Sequence, residues 1–291
     1  MSVQSNEKPG PPTLSREVFD GNQSTPTTVA EVLQLKSLPH DRFLADPIST
    51  TGRRTLYGGQ VAAQALRAAS LTVPEGRIAH SLHGYFLQAG DASSAISFAV
   101  ERDRDGGRYS GRRVIAIQGD SPIFSMSCSF SLPKDGADFQ AVDLPDISLP
   151  GTLPTHQLNA ARTFDLEARI PEDPDPWHRW PARLWLRIRE PLADDPNVKV
   201  CGIVFLSDLC TGLSRAPQIE QAGLLPSIDH AVWLHRAGDP NDWLLMDLHP
   251  LRTAGGRGVY TGHMFDQQGT MLASLAQESL FDVTRGSGKA T

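Results

Sequence analysis

Four consecutive stretches in the first half of the chain read as strands, one mostly apolar and three with the period-two pattern of half-buried strands. Ile78–Gln88 is mostly apolar and predicts a central strand. Ala95–Arg102 alternates, with Ile96, Phe98 and Val100 on one face. Arg108–Gln118 and Ile123–Phe130 alternate likewise, and Phe124, Met126, Cys128 and Phe130 share a face. Upstream, Gly58–Leu71 (GGQVAAQALRAASL) is Ala-rich, which favours a helix that packs closely on a sheet. Asp105-Gly106-Gly107 falls between the second and third strands and tolerates the left-handed conformation a tight hairpin needs. A helix followed by four strands on short turns predicts an α+β unit, an antiparallel sheet with one helix on its face.

The second half repeats short pieces of the first at nearly constant spacing. GGR stands at 106–108 and 255–257, AGD at 89–91 and 237–239, and SMSCSF (125–130) aligns with LASLAQ (272–277). Offsets of 147–149, in one order, point to a duplicated unit, with two unrelated α+β domains as the alternative. At the same offset Gly58-Gly59 falls on Ser207-Asp208, where a second helix is expected to start. The chain then divides into a flexible leader (1–28), a first repeat (29–131), a connection (132–181), a second repeat (182–282) and a tail (283–291). Eight prolines between Ser131 and Pro181 make a sheet interior improbable there, because proline lacks the N–H that a ladder uses. Leu144, Ile147, Leu149 and Phe164 are the expected anchors of this connection.

Composition narrows the function class. The 291 residues are 40% hydrophobic and 21% charged, ample for a packed core, and their net charge of −6 offers no general attraction to nucleic acid or anionic membrane. No apolar run reaches transmembrane length and no signal-like segment opens the chain, so stable membrane insertion is not expected and the cytoplasm is the expected location. Cys128, Cys201 and Cys210 are odd in number and scattered, which reads as reduced, buried thiols. There is no phosphate-binding loop, no dinucleotide fingerprint and no nucleophile elbow. His230 and His235 lie five apart, unsuited to a shared metal, so neither metal nor cofactor is expected. Arg102, Arg104, Arg108, Arg112 and Arg113 read as a solvated hairpin balanced by Glu101, Asp103 and Asp105.

One ordered set of short motifs resembles the acyl-CoA thioesterase II family. It comprises Tyr57-Gly58-Gly59-Gln60 with Ala63-Gln64-Ala65, His80-Ser81-Leu82-His83 running to Tyr85-Phe86, and Trp185-Leu186-Arg187. It continues through Ser207-Asp208, Ser227-Ile228-Asp229-His230, Trp233, His235-Arg236, Arg257-Gly258 and Gln277-Glu278. The set spans residues 30–281. What this resemblance implies is a double hotdog, two tandem repeats of a long helix wrapped by an antiparallel sheet. It also implies hydrolysis of acyl-CoA to free acid and CoA, with Asp208, Ser227 and Gln277 as the catalytic trio. Serine stands where threonine is common at 227, and Phe205 where tyrosine is frequent.

The implied chemistry is self-consistent. A thioester carbonyl is already electrophilic, so the protein has to deliver a deprotonated water and stabilise an oxyanion. Asp208 at a helix start would serve as base, a role worth about 10²–10⁴-fold. Ser227 and the Gln277 amide both donate and accept, and together they would orient the water. Helix-start N–H groups are the candidate oxyanion donors. Ser227 is then not a nucleophile. The repeat places Gly59 opposite Asp208 and Phe130 near Gln277, so the first half is expected to lack a site of its own. His83, Asp229, His230 and His235 read as structural hydrogen-bonding residues. A non-catalytic acyl-CoA binding protein is the alternative function; an enoyl-CoA hydratase would need a His–Asp pair on the hotdog helix, and this chain offers none there. Open sheet edges predict a homo-oligomer.

Overall fold

The structure, a computed structural model, describes residues 26–48, 55–156, 163–173, 177–223 and 225–282. Most of the leader (1–25) and the tail (283–291) lie outside the described residues. Thr28 belongs to the fold: its hydroxyl accepts from Glu31 N–H while the Glu31 carboxylate takes Thr28 N–H at 2.8 Å. That reciprocal cap fixes α1 at Val29–Val32.

The first half continues with β1 (Lys36–Leu38), β2 (Arg42–Ala45), α2 (Gly58–Ser70), β3 (Ile78–Phe86), β4 (Ile96–Asp105), β5 (Tyr109–Gln118) and β6 (Ser121–Ser131). The second has β7 (Leu166–Arg169), β8 (Arg183–Ile188), α3 (Pro196–Leu206), β9 (Asp229–Leu234), β10 (Leu244–Ala254), β11 (Arg257–Phe265) and β12 (Met271–Leu280). The twelve strands among the described residues form one sheet in the order β1-β2-β4-β5-β6-β3-β9-β12-β11-β10-β8-β7. The halves join where β3 and β9 pair antiparallel, with Leu82 opposite Val232. Both long helices sit on one side of the sheet and pack on each other. This is the double-hotdog arrangement.

The two helices differ in character. On α2 half of the buried positions are alanine (Ala62, Ala63, Ala65, Ala68, Ala69), which lets the sheet approach closely. On α3 every position from Val200 to Leu206 is buried, so this part of the helix is apolar all round and lies inside, while its first turn, with Pro196 and Lys199, reaches the surface.

The second helix does not start at Ser207. Asp195 accepts from Asn197 N–H at 2.8 Å, Pro196 takes the first helical position, and Ser207 is the C-cap. The helix therefore ends where it was expected to begin. The physical reason is unequal spacing: β5 and β11 start 148 residues apart, but α2 and α3 only 138. A longer connection, with 3₁₀ turns at Gly212–Arg215 and Pro217–Gln221, makes up the difference before β9.

Two further expectations change. Arg102 and Arg113 pair at the surface with Asp41 and Asp103. Arg112 instead is buried, donating from Nε to Thr72 Oγ1 at 2.8 Å and from Nη2 to the Asp105 carboxylate at 2.8 Å. In the connection, β7 forms the outer edge of the sheet. Phe164 is buried, and Leu144 and Ile147 pack against Trp185, Trp243, Leu245 and Phe265, while Leu149 stays exposed. Cys128 and Cys201 are buried and Cys210 half-buried, all free; burial pushes the thiols up, to about 12 for Cys201 and Cys210.

Candidate active site

Asp208 follows the C-cap of α3 and faces the start of α2 in the other half. The first turn of α2 has no capping side chain: Tyr57 occupies the N-cap position and no acidic residue follows. Its orphan N–H groups need an acceptor from elsewhere. The Asp208 carboxylate supplies one by accepting from Gly59 N–H. Two glycines permit this approach. A Cβ on Gly58 would lie 2.5 Å from Asp208 Oδ2, and one on Gly59 would lie 2.6 Å from the Phe205 carbonyl oxygen.

Ser227 precedes β9 and bridges Ser279, while Gln277 points inward from β12 and is buried. Gln277 Nε2 donates to Ser227 Oγ at 2.5 Å, and both side chains hydrogen-bond the Asp208 carboxylate. Asp208, Ser227 and Gln277 thus meet, from three separated segments of the second half.

The electrostatics of Asp208 are opposed. Burial raises its pKa above the usual carboxylate value. His230 nearby and the hydrogen bonds from Gln277, Gly59 and Ser227 pull the other way without cancelling the rise. The carboxylate also sits between two helix ends, the unfavourable C-terminus of α3 and the favourable N-terminus of α2. Burial, with the Asp208 charge, pushes the phenols of Tyr57 and Tyr260 well up, so both are neutral donors. Tyr57 Oη donates to the Phe205 carbonyl at 2.6 Å and so caps the end of α3. Its ring stacks edge-on against Phe205, which in turn meets Phe164, forming an apolar wall beside the carboxylate.

His230, expected as a structural residue, lies against the trio. It is fully buried, with Nε2 2.8 Å from Ser207 Oγ and Nδ1 against Gln277 Oε1. Its parity on β9, two residues before buried Val232, was the signal that it points inward. The other residues of a conceivable Ser–His–Asp set lie apart. Asp229 accepts from Glu278 N–H at 2.6 Å, His83 packs on the Trp233 ring, and His235 meets Ser274 at 2.9 Å. Ser207 and His230 have the spacing of a nucleophile–base pair, but Ser207 is fully buried with its Oγ 2.8 Å from Val204 O, and the far ring nitrogen faces an amide.

Gly59 does not take the place of Asp208 in the first half. Thr72, two residues beyond the end of α2, stands there, and its hydroxyl is bound by Arg112, the counterpart of Tyr260. The first half contributes instead to the candidate site around Asp208, through the N-terminus of α2. Among the described residues no group of three or more His, Cys, Asp or Glu is placed to hold a metal ion. No helix among them is long and apolar enough to cross a membrane.

The family model of the acyl-CoA thioesterase N-terminal domain matches residues 44–131, and that of the acyl-CoA thioesterase C-terminal domain matches 141–281. Acyl-CoA thioesterase 2 of Haemophilus influenzae is 32% identical over 253 residues, covering 79% of this chain and 88% of its own. The crystal structure of an acyl-CoA thioesterase II from Mycobacterium marinum is 34% identical, with a TM-score of 0.76 over 89% of this chain and 99% of that one. A hot dog fold protein from Alicyclobacillus acidocaldarius, 16% identical, shares the fold with a TM-score of 0.72 over 87% of this chain and 97% of its own.

Proposed function

The chain belongs to the acyl-CoA thioesterase II family and is an acyl-CoA thioesterase; from that premise we propose that Asp208, Ser227 and Gln277 hold and activate the water that attacks the thioester. The observation that carries this reading is the mutual contact of the three side chains around one half-buried carboxylate. Asp208 takes the proton as the water's oxygen adds to the thioester carbon. Gln277 and Ser227 fix the direction of attack, since each already spends one hydrogen bond on the other. The oxyanion is received by the first turn of α2, where N–H groups and the helix dipole favour negative charge. Collapse of the tetrahedral intermediate expels the CoA thiolate, which leaves without needing a strong acid. The protein works in the cytoplasm on acyl-CoA, and self-association is part of the same proposal.

The absence of a covalent step is the testable core. Wild-type protein is expected to release thiol from a chain-length panel of acyl-CoAs, and intact-mass analysis of quenched reactions is expected to find no acyl adduct. An acyl group on Ser227 in such samples would overturn the water mechanism. Tight binding across the panel with no thiol release would favour the non-catalytic alternative.

A further inference from the structure

We propose that His230 is a positioning residue that fixes which way the Gln277 amide faces. The inference rests on the proposed trio and concerns a residue outside it. An amide side chain has two nearly isosteric orientations, and only one of them puts N–H groups toward Ser227 and Asp208. Turned over, Gln277 would aim its carbonyl oxygen at the Asp208 carboxylate and lose the hydrogen bond it makes there. Within the trio only the ionised Asp208 carboxylate favours that orientation, because Ser227 Oγ accepts or donates equally well.

His230 supplies what is missing. Its Nδ1 lies against Gln277 Oε1, an acceptor only, so Nδ1 carries the proton and donates. The ring itself is held from behind by Ser207 Oγ at 2.8 Å from Nε2; with Nδ1 as the donor nitrogen, the hydroxyl gives its single proton to Nε2 and not to the Val204 carbonyl, which lies at the same distance. Ser207 is the C-cap of α3, next to Asp208 in the chain. One rigid helix end therefore places Asp208 directly and places Gln277 through Ser207 and His230. Ser207, His230 and Gln277 are all buried, so no solvent competes for these hydrogen bonds.

The test is a double-mutant cycle on kcat and KM in the full-length protein. His230→Leu removes the donor and is expected to lower kcat by about 10–100-fold, the loss of one buried hydrogen-bond partner, with KM changed less than about twofold. His230→Asn keeps an N–H near the Nδ1 position and is expected to recover most of that loss. In a Gln277→Ala background, His230→Leu is expected to cost nothing further. Equal losses in both backgrounds, with Gln277→Ala itself impaired, would overturn the positioning role and leave the trio standing. Full activity of Gln277→Ala would instead remove the trio on which the inference rests. If His230→Leu does not fold, the same comparison is read from Ser207→Ala, and additive losses there overturn the inference equally.

Discussion

At the scale of single residues, the account turns on one carboxylate held in an unfavourable place. Asp208 must be ionised to accept a proton, and burial raises its pKa. The acid limb of kcat/KM is therefore expected at higher pH than an ordinary aspartate would give, with activity lost as pH falls through the raised value. The same shift has a stability consequence. A carboxyl whose folded pKa exceeds its unfolded one favours the fold when protonated, and that contribution is lost as pH rises through the folded value. At neutral pH, thermal unfolding should accordingly show Asp208→Asn melting above the wild type, with the gain fading at acid pH. A lower Tm at neutral pH would contradict the electrostatic description. The identity of Asp208, Ser227 and Gln277 was legible as a resemblance in short motifs. The setting of Asp208 was not, because a Ser-Asp pair reads as a helix start unless the upstream Asp195-Pro196 cap is given its weight.

At the scale of elements, the close passage of the α2 N-terminus past the end of α3 makes the site. Helix propensity alone would favour alanine over glycine at position 58 by about 1 kcal/mol. The structure reverses that preference locally, since the added Cβ would meet Asp208 Oδ2 at 2.5 Å and the Phe86 ring at 2.9 Å. Gly58→Ala is thus expected to lower kcat at least about tenfold while leaving a folded protein, as read by steady-state kinetics beside circular dichroism. Unchanged kcat would show that the approach of α2 to Asp208 is not needed for turnover. The strands were legible from alternation, and β3 to β6 fall where the pattern put them. Of the helices, α2 falls where Gly58–Leu71 put it, but α3 resisted, because an all-apolar run such as Val200–Leu206 has no periodicity to read and its bounds come only from its caps.

At the scale of the whole molecule, the duplication is unequal. The hairpin strands keep a constant offset, while the helix-to-strand connection of the second half is longer and carries Asp208 to a place where the first half has Thr72. Arg112 fills the corresponding interior of the first half and ties Thr72 to Asp105, so that end is closed by structure and not by chance of sequence. The main edges of the two repeats are used up on each other, β3 against β9, leaving only the short β1 and β7 as outer edges. No reading of either half in isolation reveals a site assembled from both, since Gly59 of the first repeat and Asp208 of the second are 149 residues apart in sequence. The measurement that tests this arrangement most directly is thiol release by Asp208→Asn, with its fold checked by Tm. The account expects kcat to fall by about 10²–10⁴-fold in a protein at least as stable as the wild type. Turnover within about threefold of wild type would contradict it, because the carboxylate at the junction of the two halves would then not be the base.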